Sequence, residues 1–299
     1  MNHVNLMQIY VRVAELTSFT QAADSLGLPK ASVSAAIKQL EASLGTRLLH
    51  RTTRNVQMTQ DGLIYYERSK DMLADMAELQ TLFHQGEQEI SGRLRMDLPI
   101  GIARNIIIPQ LPSFLQLHPR LEIELSSTDR RVDLVREAFD CVIRVGVIID
   151  TSLIARPLGH LKQINCASPE YLARHGVPQR LEDLAQHRLI HYASNLGSKP
   201  TGFEYLDGNQ TRTREMAGSI TVNNSDAYQA ACLAGLGLIQ APEIGVTELI
   251  SQGRLVQVLS DYAAAAMPVS ILYASRRQLS KRTQVFINWV QKLMQTQLT

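Results

Sequence analysis

The chain of 299 residues has few aromatic side chains, 5% of the total with a single Trp, and only three cysteines. Cys141, Cys166 and Cys232 are odd in number, far apart and never at CxxC spacing, which argues against a disulfide framework or a cysteine-rich zinc site. Each lies in an apolar stretch (DCVIRV, INCAS, AACLAG), so they read as buried thiols in a reducing cytoplasm rather than redox centres. The eight His are scattered without an HExxH pair. Gly235 and Gly237 give GxG without the third glycine of a dinucleotide fingerprint. No acid, base and nucleophile cluster together, so no catalytic residue, metal or cofactor is expected. Two further features are missing: an apolar run of the ~18–20 residues that a membrane span needs, and a charged-then-apolar leader. No membrane partner is expected.

What is present is concentrated near the start. SFTQAADSLGLPKASVSAAIKQLEASL (18–44) reads as two short helices joined by a tight turn. Val33, Ile37, Leu40 and Leu44 recur at steps of four, three and four, one stripe of an α-helix. Gly27 supplies the turn, because a residue without Cβ takes positive φ cheaply. Pro29 suits the first turn of the second helix. Opposite the stripe stand Lys30, Ser32, Ser34 and Lys38, with no acid until Glu41. The bland interpretation is a packed helix pair with a solvated outer face. The functional one is a helix-turn-helix, with Thr20 and Gln21 on its first helix and the polar face of its second in a DNA groove.

The flanks favour DNA. Leu6, Ile9, Tyr10 and Val13 predict an amphipathic helix able to cover the motif. In TRLLHRTTRNVQMTQDG, Arg47, Arg51 and Arg54 alternate with apolar and β-branched residues, as in a two-stranded wing that carries cations to phosphates. Residues 1–58 hold six Lys/Arg against three Asp/Glu, while 59–90 hold two against seven. The net charge of +2 therefore hides a positive field local to the head, the pattern of a site-specific reader rather than a nucleic-acid coat.

These phrases, AELTSFTQAADSLGL, ASVSAAIKQLEASLGTRLLHR and MTQDG, resemble the DNA-binding domain of LysR-type transcriptional regulators. The resemblance extends over nearly the whole chain through PSFLQLHPRLEIEL, DRRVDLV, FDCVIRVG, CASPEYL and AGLGLIQAPE. It implies an α/β protein of three parts: a winged helix-turn-helix (1–59), a linker or dimerisation helix with a hinge (60–90), and an effector-binding domain (91–299). The last resembles periplasmic binding proteins, with lobe one at 91–162 and 268–299 and lobe two at 163–267. The implied function is ligand-responsive, sequence-specific regulation of transcription. The implied partners are double-stranded promoter DNA, an unknown small-molecule effector, RNA polymerase, and other copies of the chain as homodimer to homotetramer. In the family, Lys30, Ala31, Ser34 and Ala35 occupy base-reading positions. Many relatives have Arg where Ala35 stands, which shifts weight here to Lys30 and DNA shape.

Gly62, Tyr65, Ser69, Met72, Met76, Leu79 and Phe83 follow a 3-4 spacing, with Thr59 as N-cap. About 26 helical residues span roughly 39 Å, long and narrow for packing within one domain. Tyr65, Met72, Met76, Leu79 and Phe83 are therefore assigned to a dimer contact, and GEQEISG (86–92) marks a hinge.

From Arg93 strands alternate with helices: RLRMDLPIG strand, ARNIIIPQLPSFLQLHP helix, LEIELSST strand, RRVDLVREAF helix, DCVIRVG strand. This alternation predicts a parallel sheet, followed by a second such unit. The final helix carries Val285, Phe286, Trp289, Val290 and Leu293 on one face, which places the lone Trp in the core. Ligands of such sheets sit beyond strand ends, at helix N-termini. Three ends qualify: Ile100, Gly101 and Ile102, with free backbone N–H groups; Ser126, Ser127 and Thr128; and Asn223, Asn224 and Ser225, where Ser225 or Asp226 is equally a plain helix cap. Arg144 is either an anion partner in the cleft or a structural ion pair. Phe203, in a polar loop, is a candidate cavity wall. The competing functions are an enzymatic or small-molecule-binding α/β domain tethered to DNA, and a constitutive nucleoid protein.

Overall fold

Three helices build the first part of the computed structural model: α1 (His3–Leu16), α2 (Phe19–Leu26) and α3 (Lys30–Leu44). The structure describes residues 2–51, 56–81, 90–134, 136–148, 153–198, 201–274 and 279–298, with the backbone alone at 51, 74 and 77–81. Side chains cap the helices where donors would otherwise be orphaned. Asn2 accepts from Asn5 N at 2.8 Å, and Ser18 accepts from Gln21 N at 3.3 Å. Gly27 ends α2 at φ 64°. Pro29 stands one residue ahead of α3 rather than inside it, its carbonyl accepting from Ser32 and Val33 N–H.

The buried stripe of α3 is Val33, Ala36, Ile37 and Leu40, packed with Leu6, Ile9, Tyr10 and Val13 of α1. Leu44, expected to extend the stripe, is 39% exposed, because the helix stops against Gly45 at φ 70°. The wing follows as β1 (Leu49–Arg51) antiparallel to β2 (Val56–Met58), with Leu49 opposite Met58. Then comes α4 (Gln60–Thr81), where Thr59 Oγ1 accepts from Gly62 N at 2.9 Å. Gly62 is needed here: a Cβ on it would lie 2.0 Å from the Leu48 carbonyl oxygen.

The first half of the heptad stripe departs from expectation. Gly62 and Ser69 are buried, and the Tyr65 ring packs edge-on against Tyr10 at 5.4 Å between centroids. Tyr65 is thus committed to its own domain, where it covers the α1 core. Leu63 and Ile64, outside the stripe, are exposed, and so is Met72 within it. Leu79 (its side chain), Phe83 and most of the 86–92 segment lie outside the described residues.

Contacts divide the chain into two units: Met1–Arg93 with Arg120–Glu122, and Leu94–Pro119 with Ile123–Thr299. From Ser91 the chain runs through β3 (Ser91–Leu98), α5 (Ile100–Ile102), a π turn (Ala103–Ile107), α6 (Ile108–Leu117), β4 (Arg120–Ser127), β5 (Cys141–Val145) and β6 (Leu153–Leu161). It continues with β7 (Gln163–Ala167), α7 (Pro169–His175), β8 (His191–Tyr192), β9 (Phe203–Asp207), β10 (Gln210–Arg214), β11 (Thr221–Val222) and α8 (Ser225–Leu233). The last elements are β12 (Ile239–Pro242), α9 (Glu243–Ser251), β13 (Val256–Gln257), β14 (Met267–Ala274) and α10 (Lys281–Gln297).

One lobe holds a five-stranded sheet in the order β4-β3-β5-β14-β6. It is mixed, not parallel: β3 and β5 run parallel, but β14 is antiparallel to β5 and β6 because it re-enters from the other lobe. The other lobe holds β12-β7-β13, the parallel pair β8 and β11, and the hairpin β9–β10. Lys162 alone separates β6 from β7, so the chain crosses between lobes there and returns at β14.

Three further expectations change. The described residues of 130–139 form turns and bends rather than a helix, with Arg130 donating to both carboxylate oxygens of Glu137 at 3.0 and 2.6 Å. Phe203 opens β9 instead of lying in a loop. Trp289 is only half-buried, its ring tilted against Phe114 and Phe286, while Phe286, Ile287, Val290 and Met294 form the buried face of α10.

Candidate functional site

The reading head presents the α3 face opposite its buried stripe. Lys30, Ala31, Ala35 and Lys38 are exposed, Ser32 and Ser34 half-buried, and Thr20 and Gln21 of α2 exposed. The only acid of α3, Glu41, is turned away from that face. Its Oε1 accepts the backbone N–H groups of Leu48 at 2.9 Å and Leu49 at 3.1 Å, tying the helix to the wing. Thr59 adds a second tie, its hydroxyl donating to Arg47 O at 2.8 Å and its N–H to Leu48 O at 3.0 Å. Arg51 contributes backbone to β1, but its side chain and the whole of Arg54 lie outside the described residues.

Buried beneath this surface, the Tyr10 hydroxyl donates to Gly62 O at 2.8 Å. Burial, then the Glu41 charge, pushes its pKa well above the ordinary tyrosine value, so it stays a donor.

A cavity of about 940 Å³ opens between the two lobes of the second unit. Of the residues expected there, Gly101, Ile102, Thr128, Arg144 and Ser225 line it; Ile100, Ser126, Ser127, Phe203, Asn223 and Asn224 do not. Each absence has a local cause. The Ile100 N–H is taken by Asp129 Oδ1 at 3.0 Å. Ser126 donates to Asp97 Oδ2 at 2.7 Å, and Ser127 points to solvent. Phe203 is wholly buried among Tyr171, Leu184 and Leu238. Asn224 is the N-cap of α8, accepting from Ala227 N at 2.9 Å; Asn223 is exposed beside it. Neither Ser225 nor Asp226 is therefore the cap.

Arg144 faces the cavity and is also an ion pair: its Nη1 lies 2.9 Å from Oδ1 of Asp97, which is 0% exposed. Ser126 and Thr128 hydroxyls satisfy the other side of that carboxylate. Asp97, an acid inside the apolar strand RLRMDL, escaped the sequence argument, although its placement between Met96 and Leu98 was a signal. So did Asp129, which follows a strand end directly, and Tyr192. Burial, then the neighbouring Asp129 charge, raises the Tyr192 pKa.

His187 and His191 are four apart but follow a 3-10 turn, not an α-helix, and among the described residues no three His, Cys, Asp or Glu are placed to hold a metal. The three cysteines are buried and free. Burial pushes the Cys141 thiol far up, and the Cys166 contact does the same to Cys232. Among the described residues no helix is long and apolar enough to cross a membrane.

Residues 4–63 match the family model for the bacterial regulatory helix-turn-helix protein, lysR family, and residues 87–295 match the LysR substrate binding domain. The chain is 48% identical to the HTH-type transcriptional regulator YhjC of Escherichia coli strain K12, covering all of both chains. It is 38% identical to an HTH-type transcriptional repressor of Pseudomonas aeruginosa, covering 98% of this chain and 92% of that one. Its fold resembles the solved structure of CrgA, a LysR-type transcriptional regulator from Neisseria meningitidis, with a TM-score of 0.62, 28% identity, and 98% and 99% of the two chains covered. One family thus accounts for both the reading head and the cavity-bearing domain, and the chain belongs to it: the LysR-type, ligand-responsive, DNA-binding transcriptional regulators.

Proposed function

We propose that α3 enters the major groove with Lys30, Ala31, Ser34 and Ala35 at the base edges. Lys38, Ser32, Thr20 and Gln21 border that contact, and Arg51 and Arg54 of the wing meet phosphates or the adjacent minor groove. The observation that carries this reading is the fate of Glu41: the one acid of α3 is bonded to the wing, which leaves the outward face cationic and hydroxylic. The lobes of the second unit enclose the effector, and occupancy shifts a pre-existing equilibrium of the domain. Met72 and Met76, with Leu79 and Phe83 further along, form the dimer seam; homodimers pair into homotetramers. The protein works in the cytoplasm, meets RNA polymerase at its promoters, and is not an enzyme.

The test is to recover the genomic fragments that the full-length protein binds and the small molecule that co-purifies with it. A short shared sequence among the fragments, with a bound metabolite that is not turned over, supports the reading. Turnover of that metabolite would favour a DNA-tethered enzyme, and fragments without a shared sequence would favour a structural coat.

A further inference from the structure

One carboxylate joins the two lobes. Asp129 follows β4 in the first lobe and reaches the cavity wall. Its Oδ1 accepts the N–H of Ile100, from its own lobe, at 3.0 Å. Its Oδ2 accepts the N–H of Ser225, the first residue of α8 in the other lobe, at 2.6 Å. Two backbone donors, one from each lobe, converge on one acidic group, and together they form a seat complementary to negative charge. Beside it, Arg104 of the first lobe bonds Asp226 at 2.6 Å and Gln229 at 3.1 Å, both on α8.

We propose that Asp129 is a tethered stand-in for an anionic group of the effector: it latches the lobes together across the cavity before ligand arrives, and an effector carboxylate binds by taking its place. This rests on the cavity being the effector site. A tethered group competes at an effective concentration in the millimolar range or above. A bare small carboxylate is therefore rejected, and the effector needs further contacts within the cavity to displace the latch. Asp129 thus sets which anions the domain accepts, and the seat it fills is the first point the effector contests.

Removing the side chain leaves the seat open to a carboxylate from solution. The experiment compares full-length wild type, Asp129→Ala and Asp129→Asn by thermal unfolding, with sodium acetate as the probe and sodium chloride at equal ionic strength as control. Asp129→Ala should lower the melting point of the second unit by about 3–6 °C. Acetate, but not chloride, should restore most of that loss in a saturable way. Wild type should show no saturable acetate response, and Asp129→Asn, which keeps one acceptor, should fall between. Acetate acting equally on wild type and Asp129→Ala, or no better than chloride, would overturn the proposal.

If Asp129→Ala does not fold, Asp129→Asn and amide exchange in the wild type decide. Slow exchange at the Ile100 and Ser225 N–H groups is expected, and fast exchange at both overturns the latch. None of these readouts uses DNA. Their failure leaves the regulator reading intact, and a failure to bind any duplex leaves the latch result standing.

Discussion

Glu41 accepts the backbone N–H of Leu48 at 2.9 Å, so one carboxylate near the end of α3 holds the first residue before the wing. The same oxygen holds Leu49 at 3.1 Å. Both residues are buried, at 1% and 3% exposure, so water does not replace the acceptor.

Glu41→Ala should therefore destabilise the first unit by about 1–3 kcal/mol, the cost of leaving buried donors unmade. Glu41→Gln retains an oxygen at that position and should lose much less. Chemical denaturation of both variants, followed by the Tyr10 and Tyr65 signals, checks this; equal losses would mean that the charge, not the two bonds, matters.

Gly62→Ala places a methyl group 2.0 Å from the Leu48 carbonyl oxygen, and the obstacle is backbone rather than a flexible side chain. Separating α4 from the wing should cost about 1–3 kcal/mol or more. Thermal unfolding should show an earlier first transition with the second unit unchanged. Gly27→Ala is a useful contrast, since that Cβ meets nothing within 4 Å and only its φ of 64° is strained.

The Arg144–Asp97 pair makes a separate prediction. Arg144→Met strands a buried carboxylate beside two hydroxyls and should cost about 3–5 kcal/mol in the second unit. Adding Asp97→Asn removes the stranded charge and should recover a substantial part. A double variant no better than the single one would show that the two residues are not coupled. DNA binding at low temperature should survive in both.

The helix-turn-helix was legible because a 3.6-residue stripe, a turn glycine and a cation-rich outer face agree locally. The misses share a physical cause: long-range partners. Residues 130–139 carry helix-like apolar spacing, yet Arg130 finds Glu137 and closes a loop instead. Phe203 stands between Gly202 and Glu204 in sequence, but β10 supplies a strand and Tyr171 with Leu238 a core. The expected free amides at Ile100 are filled by Asp129, 29 residues away, a pairing that no spacing announces. The 3-4 stripe of α4 gave the wrong face for Tyr65, because half of it serves α1 within the same domain.

Stability should also depend on pH through His187. It is buried beside His175 and hydrogen-bonded to Tyr171, and desolvation, then the His175 charge, lowers its pKa below the ordinary 6.5. The folded form therefore binds a proton less readily than the unfolded chain. Its contribution is present above pH 6.5 and is lost as pH falls below that value towards the depressed folded pKa. Melting points between pH 8 and 5 should decline on the acid side, and His187→Asn should flatten that decline. An unaltered profile in the variant would assign the acid sensitivity elsewhere.

The most direct test is the salt dependence of binding to a recovered target duplex against a scrambled one. Fluorescence anisotropy should be recorded for wild type, Lys30→Ala, Arg51→Ala and Arg54→Ala. Wild type should favour the target by orders of magnitude. Each wing variant should weaken both duplexes about equally and reduce the log–log salt slope by about one. Lys30→Ala should lose affinity mainly for the target, so that its preference over the scrambled duplex narrows. Equal binding of both duplexes by wild type, or four indistinguishable salt slopes together with an unchanged target preference in Lys30→Ala, would contradict the assignment of α3 and the wing as the DNA-reading surface.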